Sequence, residues 1–173
     1  MSETVWKNPS AIIDIDGVDE TEMKVIDGTC GTLTIGKDGW FYLYWTSFGF
    51  SSSDIPAGAT IVGVEVQFAR YLQASGLSDS GIYLMKNGSY IGDNKASADL
   101  WETSLTTKTY GGSTDLWGTT LTRDDILNST FGLQATSIQA TTTYTVYVDG
   151  VKMKVYYTAS GGGGTIPQML VCM

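Results

Sequence analysis

The chain has 173 residues, 42% hydrophobic and 12% aromatic, enough for one domain with its own core and too apolar for a disordered segment. Its formal charge is −8 with no histidine. Phosphate backbones are therefore repelled, and the commonest general base and transition-metal ligand are missing. Cys30 and Cys172 are too few for a disulfide scaffold and match no zinc spacing. No apolar run is long enough to cross a bilayer, and Ser2–Glu3–Thr4 does not read as a signal peptide. The composition thus predicts no nucleic acid, no membrane insertion and synthesis in a cytoplasm. Charged residues make up only 16%, against ~25% in ordinary domains, so Ser, Thr, Asn and Gln must supply the polar surface.

Residues 1–10 read as an N-terminal arm whose large apolar groups are Val5 and Trp6. A short strand over residues 11–15 leads into an acidic loop, and Leu33 and Ile35 alternate with threonine and glycine. Residues 40–45 read Trp-Phe-Tyr-Leu-Tyr-Trp, bulky on both faces, which predicts a strand covered twice. Either a loop or the arm covers Trp40, Tyr42 and Tyr44, or they form a protein interface. The Pro56–Ala57–Gly58 turn then opens a strand in which Val62, Val64, Val66 and Phe68 point one way and Gly63, Glu65, Gln67 and Ala69 the other. Residues 81–86 run into Asn87–Gly88, a hairpin turn, and a short return strand. Another strand covers 105–110, and Thr122 caps one helical turn whose Asp124 and Asp125 sit at the positive end. A last strand, 144–157, sets Val151, Met153 and Val155 against Lys152, Lys154 and Tyr156.

This pattern predicts an all-β fold: an antiparallel β-sandwich, jelly-roll-like, of 8–10 strands with one short helical turn. The body spans 11–158, followed by a glycine-rich linker over 159–164 and an apolar tail over 165–173. Ile166, Leu170 and Val171 in that tail are expected to dock onto a neighbour. Cys172 offers an intermolecular crosslink.

Several segments in order resemble a β-sandwich module of tailed-bacteriophage virions: Trp6–Lys7–Asn8–Pro9, Phe48–Gly49–Phe50, the turn into Thr60–Ile61, Gly92–Asp93–Asn94–Lys95–Ala96, Tyr110 through Gly118, Asp124–Asp125–Ile126, Phe131–Gly132–Leu133, and Val155–Tyr156–Tyr157–Thr158. The resemblance implies a structural virion component without catalytic residues or cofactors: a capsid decoration or cement protein, or a tail-fibre module. Its expected partners are the major capsid protein and copies of itself, as a homotrimer. Val5, Trp6, Trp40, Tyr42, Tyr44 and the apolar tail are the candidate contacts.

The chemical alternatives are weaker. Asp14, Asp16, Asp19, Glu20, Glu22 and Asp27 crowd one loop, but their register fails the EF-hand order, so a solvated acidic loop is expected rather than a calcium site. Asp93, Asp99, Glu102 and Asp115 lie in loop-like segments, yet no spacing pairs two of them as a glycosidase requires. Gly111–Gly112 is a turn, not a phosphate loop. Trp101, Tyr110 and Trp117 could stack on a host surface glycan, or could plug the ends of the core.

Overall fold

Val64, Val66, Phe68 and Leu72 lie fully buried on one side of a thirteen-residue strand, Thr60–Leu72, while Glu65 and Gln67 face outward. Around it the computed structural model, which describes residues 1–14 and 20–159, places the remaining elements. They are β1 (Ser2–Glu3), β2 (Ala11–Asp14), a 3-10 turn (Glu20–Met23), β3 (Gly31–Ile35), β4 (Tyr42–Thr46), β5 (Thr60–Leu72), β6 (Asp79–Lys86), β7 (Ser89–Ile91), β8 (Thr106–Gly111), α1 (Arg123–Leu127), β9 (Gly132–Ser137) and β10 (Tyr144–Thr158). One antiparallel sheet runs β1–β10–β5–β8, with β3 sharing the edge of β10; the other runs β2–β4–β9–β6–β7. The chain changes sheet at every step except β6 to β7. That alternation makes the sandwich jelly-roll-like, with its core between the sheets.

Local chemistry accounts for the punctuation. Asn87 and Gly88 both take positive φ, as a two-residue turn of the hairpin type requires. The Thr122 hydroxyl accepts from the Asp125 amide (3.2 Å) while the Asp125 carboxylate accepts from the Thr122 amide (2.9 Å), closing a capping box. A side chain at Gly132 would land on the carbonyl of Trp45, so β9 and β4 approach as closely as they do only with glycine there.

Two irregularities in the pairing of β5 with β10 shift the alternation expected from sequence. Val62 is an extra residue between the pairs Ile61↔Tyr157 and Gly63↔Tyr156, so Ile61 takes the inward place and Val62 is only half-buried. A second shift, between Val148 and Gly150, moves the buried set of β10 from Val146 and Val148 to Val151, Met153 and Val155. Asp149 in that shift is buried, and its carboxylate accepts the amides of Asp27 (2.9 Å) and Gly28 (3.1 Å). The backbone of Lys24 and Val25 lies against Gly150, leaving no room for a side chain. The segment after the acidic loop is thus fastened over the gap between β1 and β3. Residues 15–19 of that loop, and residues 160–173 with Ile166, Leu170, Val171 and Cys172, lie outside the described residues.

The N-terminal arm is a strand of this domain's own sheet: Thr4 donates to Val155 (2.9 Å), and Lys7 pairs with Met153. Trp6 sits under the ammonium groups of Lys152 (5.1 Å) and Lys154 (4.9 Å), a cation–π arrangement.

Three ion pairs, Lys7–Asp54, Lys95–Asp115 and Lys86–Asp125, tie loops and α1 to the strands. Burial of each aspartate opposes ionisation, but hydrogen bonds from its lysine and neighbouring groups prevail and hold all three carboxyls below the usual range. A depressed folded-state pKa gives stability that is present above the unfolded value, about 3.9, and lost as pH falls through the folded one. The melting temperature is therefore expected to hold steady across neutral pH and to drop once the buffer passes below about pH 4. Melts followed by circular dichroism over that range check this; an unchanged midpoint at pH 3 would refute it.

Candidate functional site

The two outer faces of the sandwich differ in charge. The β1–β10–β5–β8 face carries Lys152, Lys154 and Glu65, with the Tyr156 hydroxyl donating to Glu65 (2.6 Å) and its pKa pushed up to about 12 by that bond. The opposite face presents rows of cross-strand neighbours without a charge: Ile13, Tyr44, Gln134 and Tyr83 in one row, and Tyr42, Thr136 and Gly81 in the next. These are the outward positions of strands whose inward residues, Leu43, Trp45, Ile82, Leu84, Leu133 and Ala135, are buried. Tyr42 donates to the Gln134 amide oxygen (3.3 Å), Tyr44 donates to the Thr130 carbonyl (2.7 Å), and the rings of Tyr83 and Tyr90 lie 4.9 Å apart. Each ring is held in place by a neighbour, so the surface is pre-organised.

At the end of this face lies an open hollow of about 260 Å³, lined by Trp40, Ser80, Thr136, Ser137 and Gln139. Trp40 comes just before β4 and is 61% exposed. Its position is fixed from both sides. Ser137 donates to the Phe41 carbonyl (3.2 Å), Ala140 donates to the Gly39 carbonyl (2.8 Å), and Gln139 donates to the Asp38 carbonyl (3.0 Å). The lining offers one large apolar plane and several neutral hydrogen-bonding groups, and no carboxylate is among its residues.

The structure separates the sequence candidates. Of the interface group, Trp40 and Val5 are exposed and Tyr42 is half-buried. Tyr44 faces outward but is only 6% exposed, so it contributes little free surface. The Trp101, Tyr110 and Trp117 platform is corrected: these rings are 4%, 4% and 0% exposed and belong to the core. The physical reason is a set of buried polar partners. Trp117 donates its indole N–H to the Val64 carbonyl (3.0 Å). Asp79 accepts from the Trp101 indole (2.8 Å), the Tyr110 hydroxyl (2.7 Å), the Ser97 amide (3.1 Å) and Arg70 (2.8 Å). Burial keeps the Tyr110 phenol protonated far above its ordinary range. Of the acids Asp93, Asp99, Glu102 and Asp115, the structure brings Asp99 and Glu102 to one hollow, where Asp99 is bound by Lys108; Asp93 and Asp115 are not in its lining, and Asp115 binds Lys95.

Sequence reasoning missed Tyr83, Tyr90, Gln134 and Thr136. The signal was present, since Tyr83 alternates with Ile82 and Leu84, and Gln134 with Leu133 and Ala135. Among the described residues no cluster suited to a metal ion occurs, and no helix is long and apolar enough to cross a membrane.

No family model matches the sequence, and no curated protein does either. Among solved structures, one described as "CBM4 structure and function" shares 11% identity over 87% of this chain and 94% of its own, with a TM-score of 0.46. The CBM22-1 xylan-binding domain of Paenibacillus barcinonensis Xyn10C shares 14% identity over 89% and 87% of the two chains, with a TM-score of 0.43. The family 11 carbohydrate-binding module of a Clostridium thermocellum cellulosomal cellulase shares 11% over 94% and 92%, with a TM-score of 0.43. The strand order itself establishes what the chain is as a fold: an antiparallel, jelly-roll-like β-sandwich with one uncharged, tyrosine-rich outer face.

Proposed function

We propose that this protein is a non-catalytic binding module that holds a neutral polysaccharide along the uncharged face, with Trp40 as the main stacking surface. The observation that carries this reading is the hollow in which an exposed indole meets Ser80, Thr136, Ser137 and Gln139. A pyranose ring has an apolar C–H face and a rim of hydroxyls. An aromatic plane flanked by uncharged donors and acceptors complements both. Hydrolysis would require two acids flanking the scissile bond, and the lining supplies none. A host surface glycan bound by a tail fibre is the finer form of the same reading.

A second reading is the phage-shell decoration protein, with the major capsid protein and copies of this chain as partners and the virion as its location. It takes its support from Val5, 68% exposed on an arm docked to β10. Native electrophoresis through gels containing xylan, mixed-linkage β-glucan, hydroxyethylcellulose or glucomannan distinguishes the two. Retardation by at least one of them, unchanged in about 0.5 M salt because no charge is involved, is expected. Free migration in every gel overturns the carbohydrate reading, and a trimer by light scattering in that case carries the second.

A further inference from the structure

A second hollow, of about 150 Å³, opens beside β5 and β8, and Arg70, Asp99, Leu100, Trp101, Glu102 and Lys108 contribute to its lining. Its two cations are already matched: Arg70 pairs with the buried Asp79 and Lys108 with Asp99, which leaves the Glu102 carboxylate in the lining as an acceptor. A ligand that both donates and accepts hydrogen bonds gains by entering. Lys108 is held ready, its ammonium donating to Asp99 (2.7 Å) and Ser97 (3.3 Å), which leaves one of its three N–H groups for a ligand. Arg70 commits one terminal nitrogen to Asp79 and Tyr110, while its buried Nε has no partner. That nitrogen is closed off from solvent, so the polar contacts open to a ligand in the hollow come from Lys108 and Glu102. Leu100 and the edge of Trp101 add an apolar wall.

The two hollows are close neighbours. Leu100 forms a bridge with Ser78, and the Ser78 carbonyl accepts from the Ile138 amide (3.0 Å). Ile138 lies between Ser137 and Gln139, which line the Trp40 hollow. Two hydrogen-bonded spacings, about 10 Å, therefore separate the segments that wall the two sites.

We propose that this hollow is a second subsite for the same class of ligand, taking one residue of a neutral polyhydroxylated chain whose other part lies on Trp40. The inference rests on the carbohydrate reading above. One chain engaging both hollows makes the second contact intramolecular, so affinity depends on chain length.

The test uses oligosaccharides of two and six residues, cut from whichever panel polysaccharide retards the protein, in calorimetric titrations of wild type and Lys108→Met. Wild type is expected to bind the longer oligosaccharide at least tenfold more tightly. Lys108→Met, with an unchanged melting temperature, is expected to lose that gain, as is Glu102→Gln in part. Equal affinity for the two lengths in wild type, or a full length gain in Lys108→Met, overturns the second subsite while the Trp40 site stands. Failure of both lengths to bind overturns the carbohydrate reading itself, and the subsite with it.

Discussion

Trp40→Ala is expected to abolish retardation by neutral polysaccharide while leaving the fold intact. The indole is the one large apolar plane in the uncharged hollow, and it is mostly open to solvent. Removing such an anchor at a binding site costs about 2 kcal/mol or more, an affinity loss of at least about thirtyfold. Because the side chain is exposed, its removal leaves no core cavity, and the stability change is expected to stay within about 0.5 kcal/mol. Calorimetric titration and a thermal melt on the same sample separate the two effects. Wild-type affinity in Trp40→Ala would sink the proposed site. Tyr44→Phe serves as the contrast, since that ring contributes little free surface and its hydroxyl is spent on the Thr130 carbonyl.

Asp79→Ala carries the largest expected effect on stability. The Asp79 carboxylate joins the two sheets and the segment around Ser97 and Trp101, and Arg70 is its buried cationic partner at 2.8 Å. Without it, the guanidinium stays between the rings of Phe68 and Trp101, with the Tyr110 hydroxyl and a long contact to the Phe68 carbonyl (3.5 Å) in place of a counter-charge. Breaking a buried pair by removing one partner costs about 3–5 kcal/mol. For a chain of this size that lowers the melting temperature by roughly 10 °C. Replacing both partners, as Arg70→Met with Asp79→Leu, is expected to cost less than Asp79→Ala alone, because no uncompensated charge remains. Chemical denaturation of the three variants checks the order; a melting temperature for Asp79→Ala within a degree of wild type would refute the role assigned to it.

What the sequence disclosed was local, and what it withheld was partnership. The Asn87–Gly88 turn, the Thr122 cap and the alternation of Val64, Val66 and Phe68 are each written within a few adjacent residues. The extra residue at Val62 and the shift at Asp149 depend on strands far away in sequence, so the inward positions on either side of them could not be read locally. The aromatic site was half legible. Trp40 stood out for the bulk of its segment, though as a protein contact; the alternation that turns Tyr83 and Gln134 outward was present but not read, and which of the tryptophans is open depends on distant polar partners. Trp101 is sequestered because Asp79, twenty-two positions earlier, reaches its indole, and Trp117 because the Val64 carbonyl does. Trp40 has no such acceptor and stays open. Burial of an amphipathic ring is decided by where its N–H can be satisfied, and that information lies in the tertiary arrangement.

The place of β10 in its sheet has a consequence for how the protein is made. Strands β1, β3 and β5 all pair with this strand, the last of the described elements, so the first sheet has no middle until β10 has been synthesised. Until then the valine-rich side of β5 has lost its main neighbour, and Trp45 and Phe68 await a closed interior. A topology so dominated by remote pairings folds slowly and late. Emergence from the ribosome, rather than any early hairpin, therefore sets the moment at which this molecule escapes aggregation.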